Sequence, residues 1–593
     1  MRNTLQRSHD TASLNEFWAR LIVEELVRCG TETFFVAPGS RSTPLVLAVA
    51  RHPEAQAVVH YDERGSAFAA LGYARATADD GSRPAAWITT SGTAVANGLP
   101  AVVEAGTDAV PMLLLTTDRP PERRDTASNQ TIDQPDIFGD YARWQFDLPA
   151  PTPAIDARAV LTTVDQAAYR ARRPPAGPVH LNCMFRKPLQ PDPSEARLSF
   201  EQHTPARWHE SNAPLTRYEP PQLAVDVGDV AGELQEAERG LIVAGRLASR
   251  RQADAVSTLA EALGWPVLAD VGSHLRLGSA RHRPPIIGCY DQLLASEAFA
   301  ERHRPDAVLH VGGRFVSKRL RLFLAKSRPP TYVLATDTPF RVDPEHQVTR
   351  RVETDPAAFC DALAGVVLAP ENNDWLESWQ SADRRADERI DTFLEDNALS
   401  EPRVLRLVTR HLPEEHGLVL ASSMPVRDAD RYAATGGPAA LSSSNRGASG
   451  IDGTVATAAG FARGLRQPAT LVIGDLALLH DLNSLMLLRR VESPVTVVVL
   501  NNRGGGIFSF LPIAEHEDVL EPFFGTPHDA GFEHAAAQFD LTYHRPDSSS
   551  AFRETYRTEA RSDAPALIEV RTERDENRAL HGALETAVRD AIR

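Results

Sequence analysis

The chain has 593 residues, 42% of them apolar and 24% charged, a composition that belongs to folded domains rather than to disorder. Its 63 basic against 79 acidic residues leave a net charge of −16, which excludes a broad electrostatic surface for nucleic acid or anionic membrane. A local basic site for a small anion stays open. The start, Met1 to Ser13, is polar, and no apolar run approaches the roughly 18 residues of a membrane span. The four cysteines, Cys29, Cys183, Cys289 and Cys360, form no Cys-x-x-Cys pair, so reduced thiols in a soluble cytoplasmic chain are expected.

In chain order, short β-branched runs alternate with longer amphipathic stretches, the pattern of parallel sheets covered by helices. The first set predicts strands at Thr33–Ala37, Ala57–Tyr61, Ala85–Thr90, Val110–Thr116 and Pro178–Cys183, with helices at Gly65–Ala78 and Ala94–Ala105. A Pro-rich stretch from Lys187 to Pro221 reads as an interdomain linker. Strands Gly240–Ala244, Pro266–Asp270, Ala307–Val311 and Tyr332–Thr336 follow, then a break near Pro370–Asp374 and charged helical patterns over Trp375–Leu412. The last set predicts strands near Gly417–Ala421, Ala469–Ile473, Val495–Leu500 and Ala566–Arg571. The expected architecture is α/β, three domains each with a mainly parallel sheet flanked by helices. Their limits are 1–188, 222–370 and 371–593, with the linker at 189–221; the first and third share a rhythm.

Common nucleotide and hydrolase motifs are absent. There is no G-x-G-x-x-G between strand and helix, no glycine immediately before a lysine as a Walker loop requires, no H-E-x-x-H and no G-x-S-x-G.

Two polar clusters stand out. The predicted strand Ala469–Ile473 ends in Gly474-Asp475-Leu476, and the next one ends in Asn501-Asn502. The 24 residues from 477 to 500 between them suffice for one helix and a return strand, so both clusters fall at carboxyl ends of adjacent parallel strands, where α/β sheets bind ligands. Asp475 and the Asn502 side-chain oxygen are hard donors suited to Mg²⁺. The glycines Gly504-Gly505-Gly506 let backbone approach a diphosphate, with amides able to donate to it. Two ordinary strand-end turns give the same letters. Far away, Asp62-Glu63-Arg64-Gly65 follows another strand; alone, such a carboxylate is more often a helix cap.

Together these residues carry a resemblance. The stretches A-P-G-S-R-S-T-P-L (37–45), D-E-R-G (62–65), T-T-S-G-T-A-V-A-N (89–97), D-R-P-P-E (118–122), N-Q (129–130), S-K-R (317–319), S-M-P-V-R-D (423–428), N-R-G-A-S-G-I-D-G (445–453) and G-D-L…N-N-R-G-G-G-I-F-S (474–509) are similar to those of the 2-succinyl-5-enolpyruvyl-6-hydroxy-3-cyclohexene-1-carboxylate synthases. These are thiamine-diphosphate transferases of menaquinone biosynthesis. The resemblance spans all three expected domains. G-D…N-N is shared by thiamine-diphosphate enzymes at large, where glycine usually stands in place of Leu476.

The resemblance implies roles. Glu63 would be buried and catalytic, exchanging a proton with the cofactor's aminopyrimidine so that the thiazolium ylide forms, an electron sink for acyl carbanions. Cofactor contacts would come from Glu63, Ile451, Gly474, Asp475, Leu476, Asn502, Gly505, Ile507, Phe508 and Leu511, with Ile451 propping the bent cofactor. Asp475, Asn502 and the Gly504 carbonyl would hold Mg²⁺, with Mn²⁺ as the alternative ion. The family's substrates, 2-oxoglutarate and isochorismate, bring four carboxylates, which guanidinium groups recognise. The matched residues are Ser40, Arg41, Arg119, Asn129, Gln130, Lys318, Arg319, Ser423, Arg427 and Arg446, with Ser423 and Arg427 expected on one helix face. The implied reaction decarboxylates 2-oxoglutarate and adds the succinyl carbanion equivalent to isochorismate. A homodimer or homotetramer with active sites between subunits is implied, with no nucleic-acid partner. The competing readings are another thiamine-diphosphate 2-oxoacid decarboxylase or acetolactate-type synthase, and a non-catalytic cofactor-binding homologue.

Overall fold

The computed structural model describes residues 10–81, 83–193, 197–219, 226–277, 285–369, 373–434 and 437–593. Among them, eighteen strands form three six-stranded sheets in which every pair is parallel.

The first sheet contains β1 (Thr33–Val36), β2 (Gln56–Val59), β3 (Ala85–Thr89), β4 (Met112–Asp118), β5 (Trp144–Leu148) and β6 (Pro178–Met184), in the order β2-β1-β3-β4-β6-β5. The second contains β7 (Gly240–Ala244), β8 (Val267–Ala269), β9 (Ile286–Ile287), β10 (Ala307–Val311), β11 (Thr331–Thr336) and β12 (Arg350–Glu353), in the order β12-β11-β10-β7-β8-β9. The third contains β13 (Gly417–Leu420), β14 (Ser442–Ser443), β15 (Ala469–Gly474), β16 (Val495–Asn501), β17 (Thr542–His544) and β18 (Ala566–Arg571), in the order β14-β13-β15-β16-β18-β17. Renumbered from one, the first and third sheets have the same order, which is why their sequences share a rhythm. The middle sheet has the different, doubly wound order 3-2-1-4-5-6.

Strand positions predicted from apolar runs agree with the observed ones to within a few residues. The five strands without such a prediction, β5, β9, β12, β14 and β17, all lie at sheet edges. An edge strand is covered on fewer sides, so its sequence needs no continuous apolar run: β5 reads WQFDL and β12 RRVE. The helix expected at Gly65–Ala78 starts earlier, at Glu63, and ends at Ala76. The one expected at Ala94–Ala105 is two, Thr93–Ala96 and Leu99–Thr107, separated by Asn97 and Gly98 with Pro100 in the first turn of the second.

Compactness divides the chain into two units. The first comprises the described residues of 1–221 with Arg446–Leu465 and Asn483–Glu492; the second comprises the rest. In the first unit, the helix Thr454–Leu465 packs closely on Glu63–Ala76 through small residues. A Cβ on Gly460 would lie 1.9 Å from the Ala69 carbonyl oxygen, and one on Gly72 would lie 2.1 Å from that of Thr457.

The Pro-rich stretch does not behave as a spacer. Leu189, Leu198 and Trp208 enter the hydrophobic core of the first unit, and the Trp208 indole donates to Glu25. The expected linker is therefore, in its described part, a packed strap: its apolar residues gain more from burial than its prolines gain from solvent.

In the second unit, the helices Asp374–Glu395 and Arg574–Ala591 contribute Trp379, Ile390, Leu584 and Val588 to a core with Leu241, Val243 and Leu268 of the middle sheet. The helix Glu401–His411 buries Val404, Leu405 and Val408 against Leu418, Leu420, Val472 and Val498 of the third. Among the described residues no helix is long and apolar enough to cross a membrane.

Candidate active site

The third sheet sets one cluster. β15 and β16 run parallel, with Gly474 beside Leu500, so Asp475 and Asn502 emerge at neighbouring carboxyl ends. Asp475 opens the helix Asp475–His480. Its Oδ1 accepts the Leu476 N–H at 2.7 Å, and its Oδ2 accepts the Gly504 N–H at 3.0 Å. Burial pushes the Asp475 carboxyl above the usual carboxylate range, and those N–H groups pull it back. His528 Nε2 stands 3.3 Å from the same Oδ2.

The paired asparagines divide the work. Asn501 donates to Glu569 Oε1 at 2.8 Å and to the Ala530 carbonyl at 3.0 Å, which ties it to the sheet. Asn502 donates its Nδ2 to Glu401 Oε1 at 2.9 Å, while its buried Oδ1 has no hydrogen-bond partner among the described residues. An orphaned buried oxygen next to a carboxylate at a strand end fits a hard cation. Glu401 had no sequence signal: an acid in the first turn of a helix looks like any dipole-compensating residue.

The glycine run acts differently from expectation. Gly504 N–H goes to Asp475, Gly505 N–H to the Gly525 carbonyl at 2.7 Å, and Gly506 N–H to the Gly504 carbonyl at 3.0 Å. All three amides are engaged inside the chain, so the expected amide cradle for a diphosphate is corrected. The glycines are needed for close packing instead: Gly504 has φ 150°, and a Cβ there would fall 2.2 Å from the Gly525 carbonyl oxygen. The Gly504 carbonyl keeps a second lone pair for a cation. Ile507 and Phe508 are half-buried in the short turn Gly506–Phe510, and Phe508 meets Phe524 edge-on at 5.3 Å. Leu511 is exposed, Gly474 caps the helix, and Leu476 is half-buried.

In the first unit, Asp62, not Glu63, caps the helix: its Oδ1 accepts the N–H groups of Arg64 and Gly65 at 3.0 and 3.3 Å. Glu63 is thereby spared the capping role at the first helical position, where its Oε2 accepts from Asn97 Nδ2 at 3.2 Å. The expected burial does not hold within one chain. β2 is an edge strand of which only Val58 is buried, and Glu63 is half-exposed. Ile451 is 37% exposed, which excludes a plain core role. The segment around it is anchored by the buried Glu104, which accepts the Gly447 and Ala448 N–H groups at 2.9 and 2.6 Å and is itself paired with Arg75.

The first unit also holds a basic pocket of about 480 Å³ at the carboxyl ends of its strands. Arg41, Arg119 and Asn129 line it together with Arg123, Ser128, Arg186, Lys187 and one acid, Glu122. Arg41 is buried and donates to the Phe185 carbonyl at 2.6 Å; burial, then the charge of Arg119, lowers its proton affinity. Arg119 donates to Ser91 Oγ and, at 2.7 Å, to the Gln130 carbonyl. Gln130 turns its side chain onto the Ser91 carbonyl at 2.8 Å, so it braces Arg119 rather than lining the pocket. Ser40 is exposed nearby in the chain and is not part of the lining. Arg186 and Lys187 follow β6 after Phe185; the sequence reading singled out neither for the site, and began the Pro-rich stretch at Lys187.

The second unit places the remaining basic residues unevenly. Arg319 is held by Asp291 at 3.0 Å and by Glu585, so the expectation of a substrate-binding guanidinium meets a residue already paired twice. Lys318 begins the same helix, Lys318–Ser327. Ser423 is not on a helix face. With φ 76° it caps the helix Met424–Tyr432, and Arg427 Nη1 donates to its carbonyl at 2.5 Å. Arg446, in the first unit, is half-buried.

Comparison with known proteins agrees along the whole chain. Three family models match: the thiamine pyrophosphate enzyme N-terminal TPP binding domain over residues 18–137, the middle domain over 201–420, and the C-terminal TPP binding domain over 424–570. Among curated proteins, the chain is similar to the 2-succinyl-5-enolpyruvyl-6-hydroxy-3-cyclohexene-1-carboxylate synthase of Rubrobacter xylanophilus, at 56% identity over 97% of this chain and 98% of that one. It is 54% identical to the protein of the same name from Salinibacter ruber, over 98% of both chains. The protein of that name from Chlorobium phaeobacteroides is 42% identical, again over 98% of both. The three α/β sheets, the strand-end clusters and this full-length similarity identify the chain as a thiamine-pyrophosphate-dependent enzyme of the 2-succinyl-5-enolpyruvyl-6-hydroxy-3-cyclohexene-1-carboxylate synthase family.

Proposed function

We propose that this enzyme decarboxylates 2-oxoglutarate and transfers the succinyl unit to isochorismate in menaquinone biosynthesis, with Mg²⁺, or Mn²⁺, anchoring the cofactor. The observation that carries the substrate reading is the pocket of the first unit, where Arg41, Arg119, Arg123, Arg186 and Lys187 converge with a single acid, Glu122. Such an excess of fixed positive charge suits a polycarboxylate and has no use for a small neutral acyl acceptor. Asn129 and Ser128 add neutral hydrogen-bonding groups beside the cations.

Asp475, Asn502 Oδ1 and the Gly504 carbonyl offer three hard oxygens to the metal. Thiamine diphosphate, when bound, supplies the electron sink for the acyl carbanion. Glu63 holds and returns the proton at the cofactor's aminopyrimidine, and Asn97 steadies its carboxylate. Ile451, Ile507, Phe508 and Leu511 supply apolar surface for the cofactor rings; Arg427, Arg446 and Lys318 are the remaining candidates for substrate carboxylates.

A homodimer or homotetramer belongs to the same proposal. Within one chain Glu63 is half-exposed and Val59, Tyr61 and Ile451 are exposed, whereas proton exchange by a carboxylate is served by a site closed to water. Light scattering of the purified protein should give at least a dimer mass.

The test is an assay with thiamine diphosphate, Mg²⁺ and 2-oxoglutarate, following CO₂ release with and without isochorismate. Release that rises with isochorismate, with a joined product, supports the assignment. Turnover of pyruvate alone, with neither compound used, points instead to an acetolactate-type synthase.

A further inference from the structure

The side-chain amide of Asn502 has two ends, and only the oxygen end can bind a cation. Which end is presented depends on what holds the other. Asn502 Nδ2 donates to Glu401 Oε1 at 2.9 Å, and the Thr572 hydroxyl donates to the same oxygen at 3.0 Å. Glu401 is 1% exposed and starts the helix Glu401–His411, whose apolar face is sealed into the core of the third sheet. Its other oxygen, Oε2, has no hydrogen-bond partner among the described residues. A buried carboxylate carries a desolvation cost that its two hydrogen bonds only partly offset, and neither bond caps its own helix: both donors, Asn502 and Thr572, lie outside it.

We propose that Glu401 is a positioning residue for the metal. By accepting from Nδ2 it locks the Asn502 amide with Oδ1 turned to the cation, and Thr572 in turn fixes Glu401. The packing of Gly506 against the amide, where a Cβ would lie 2.6 Å from Nδ2, leaves the side chain little room for other rotamers. This inference rests on the proposed metal site at Asp475 and Asn502, and it adds a residue outside the ligand set.

Reach and charge make it testable, because Glu401→Gln keeps the reach of the accepting oxygen and removes the charge, while Glu401→Asp keeps the charge and withdraws the oxygen by about one methylene. The measurement is Mn²⁺ affinity in the presence of thiamine diphosphate, by electron paramagnetic resonance titration of the full-length protein, with thermal unfolding as a check on folding. Loss of such an outer partner typically weakens metal affinity ~10–100-fold. Glu401→Asp is expected to lose affinity in that range, and Glu401→Gln to stay within about threefold of the parent. Thr572→Val should fall between them.

Wild-type affinity in Glu401→Asp overturns the proposal. So does loss in Glu401→Gln with retention in Glu401→Asp, which would make the effect one of charge. If either variant fails to fold, Thr572→Val decides: parental affinity there counts against the proposal. Should the parent protein itself bind no Mn²⁺ with the cofactor, the metal site is wrong, which is a separate result.

Discussion

Glu25 and Asp165, side by side in the interior of the first unit, together clasp the strap that follows residue 200. Glu25 accepts the Trp208 indole N–H and the Leu215 N–H, the latter at 2.6 Å, while Asp165 accepts the Thr216 N–H at 2.8 Å. Burial first, and the hydrogen bond with Asp165 second, push Glu25 up to about 8 from 4.5. Between those values the folded protein holds a proton that the unfolded chain gives up. The associated stability is therefore complete below about pH 4.5 and is lost as pH rises through about 8. Glu25→Gln retains an accepting oxygen without titrating, so its unfolding temperature should decline less than the parent's between pH 6 and 9. Parallel curves for the two proteins would remove the shared proton from this account.

Charge in the basic pocket should act on acceptor binding. Arg119 is placed by Ser91 and the Gln130 carbonyl rather than by an acid, so its guanidinium charge is not neutralised by those contacts. Removing a charge-assisted hydrogen bond costs about 1.5–3 kcal/mol, so Arg119→Ala should weaken isochorismate binding roughly 10- to 150-fold. Lys187 is exposed, and Lys187→Ala should raise the KM for isochorismate less than tenfold with kcat kept. An unchanged KM in both variants would send the acceptor elsewhere.

Much of this was legible in the letters, and the gaps have physical causes. Buried strands such as β4 and β16 announce themselves because both faces must be apolar; β5, β9, β12, β14 and β17 do not, because edges need not be. Asp475 and Asn502 could be found since their spacing places them at adjacent strand ends. Glu401 could not be, because its partner lies 101 residues away and only the fold joins them. Lys187 was hidden by neighbouring prolines that read as a spacer, and Arg186, one of many arginines, carried no motif of its own. Gly504, Gly505 and Gly506 stand out in the letters, but a sequence does not tell whether a glycine frees an amide for a ligand or admits a neighbouring carbonyl.

The metal reading makes a direct demand on Asp475. Asp475→Asn keeps an oxygen for the Leu476 or Gly504 N–H while deleting the formal charge that a divalent ion requires. The Mn²⁺ affinity of this variant with thiamine diphosphate should fall more than about 100-fold, beyond the range of an outer-partner substitution. Its unfolding temperature without metal should stay level or rise, because a desolvated carboxylate has been removed. Metal affinity within tenfold of the parent would exclude Asp475 as a ligand.

Two glycines on helices separate packing from propensity. Gly460 lies where a Cβ would be 1.9 Å from the Ala69 carbonyl oxygen, on backbone that cannot swing aside. Gly582, in the helix Arg574–Ala591, is exposed, with nothing within 4 Å of its hypothetical Cβ. The same change to alanine should therefore have opposite signs. Gly582→Ala should stabilise by about 0.5–1 kcal/mol, since alanine loses less backbone entropy in a helix. Gly460→Ala should destabilise by about 1–3 kcal/mol through overpacking, because the steric term exceeds the propensity gain. Chemical denaturation of both variants checks this, and equal signs would mean that the contact between the helices Glu63–Ala76 and Thr454–Leu465 is looser than a carbonyl-to-glycine approach implies.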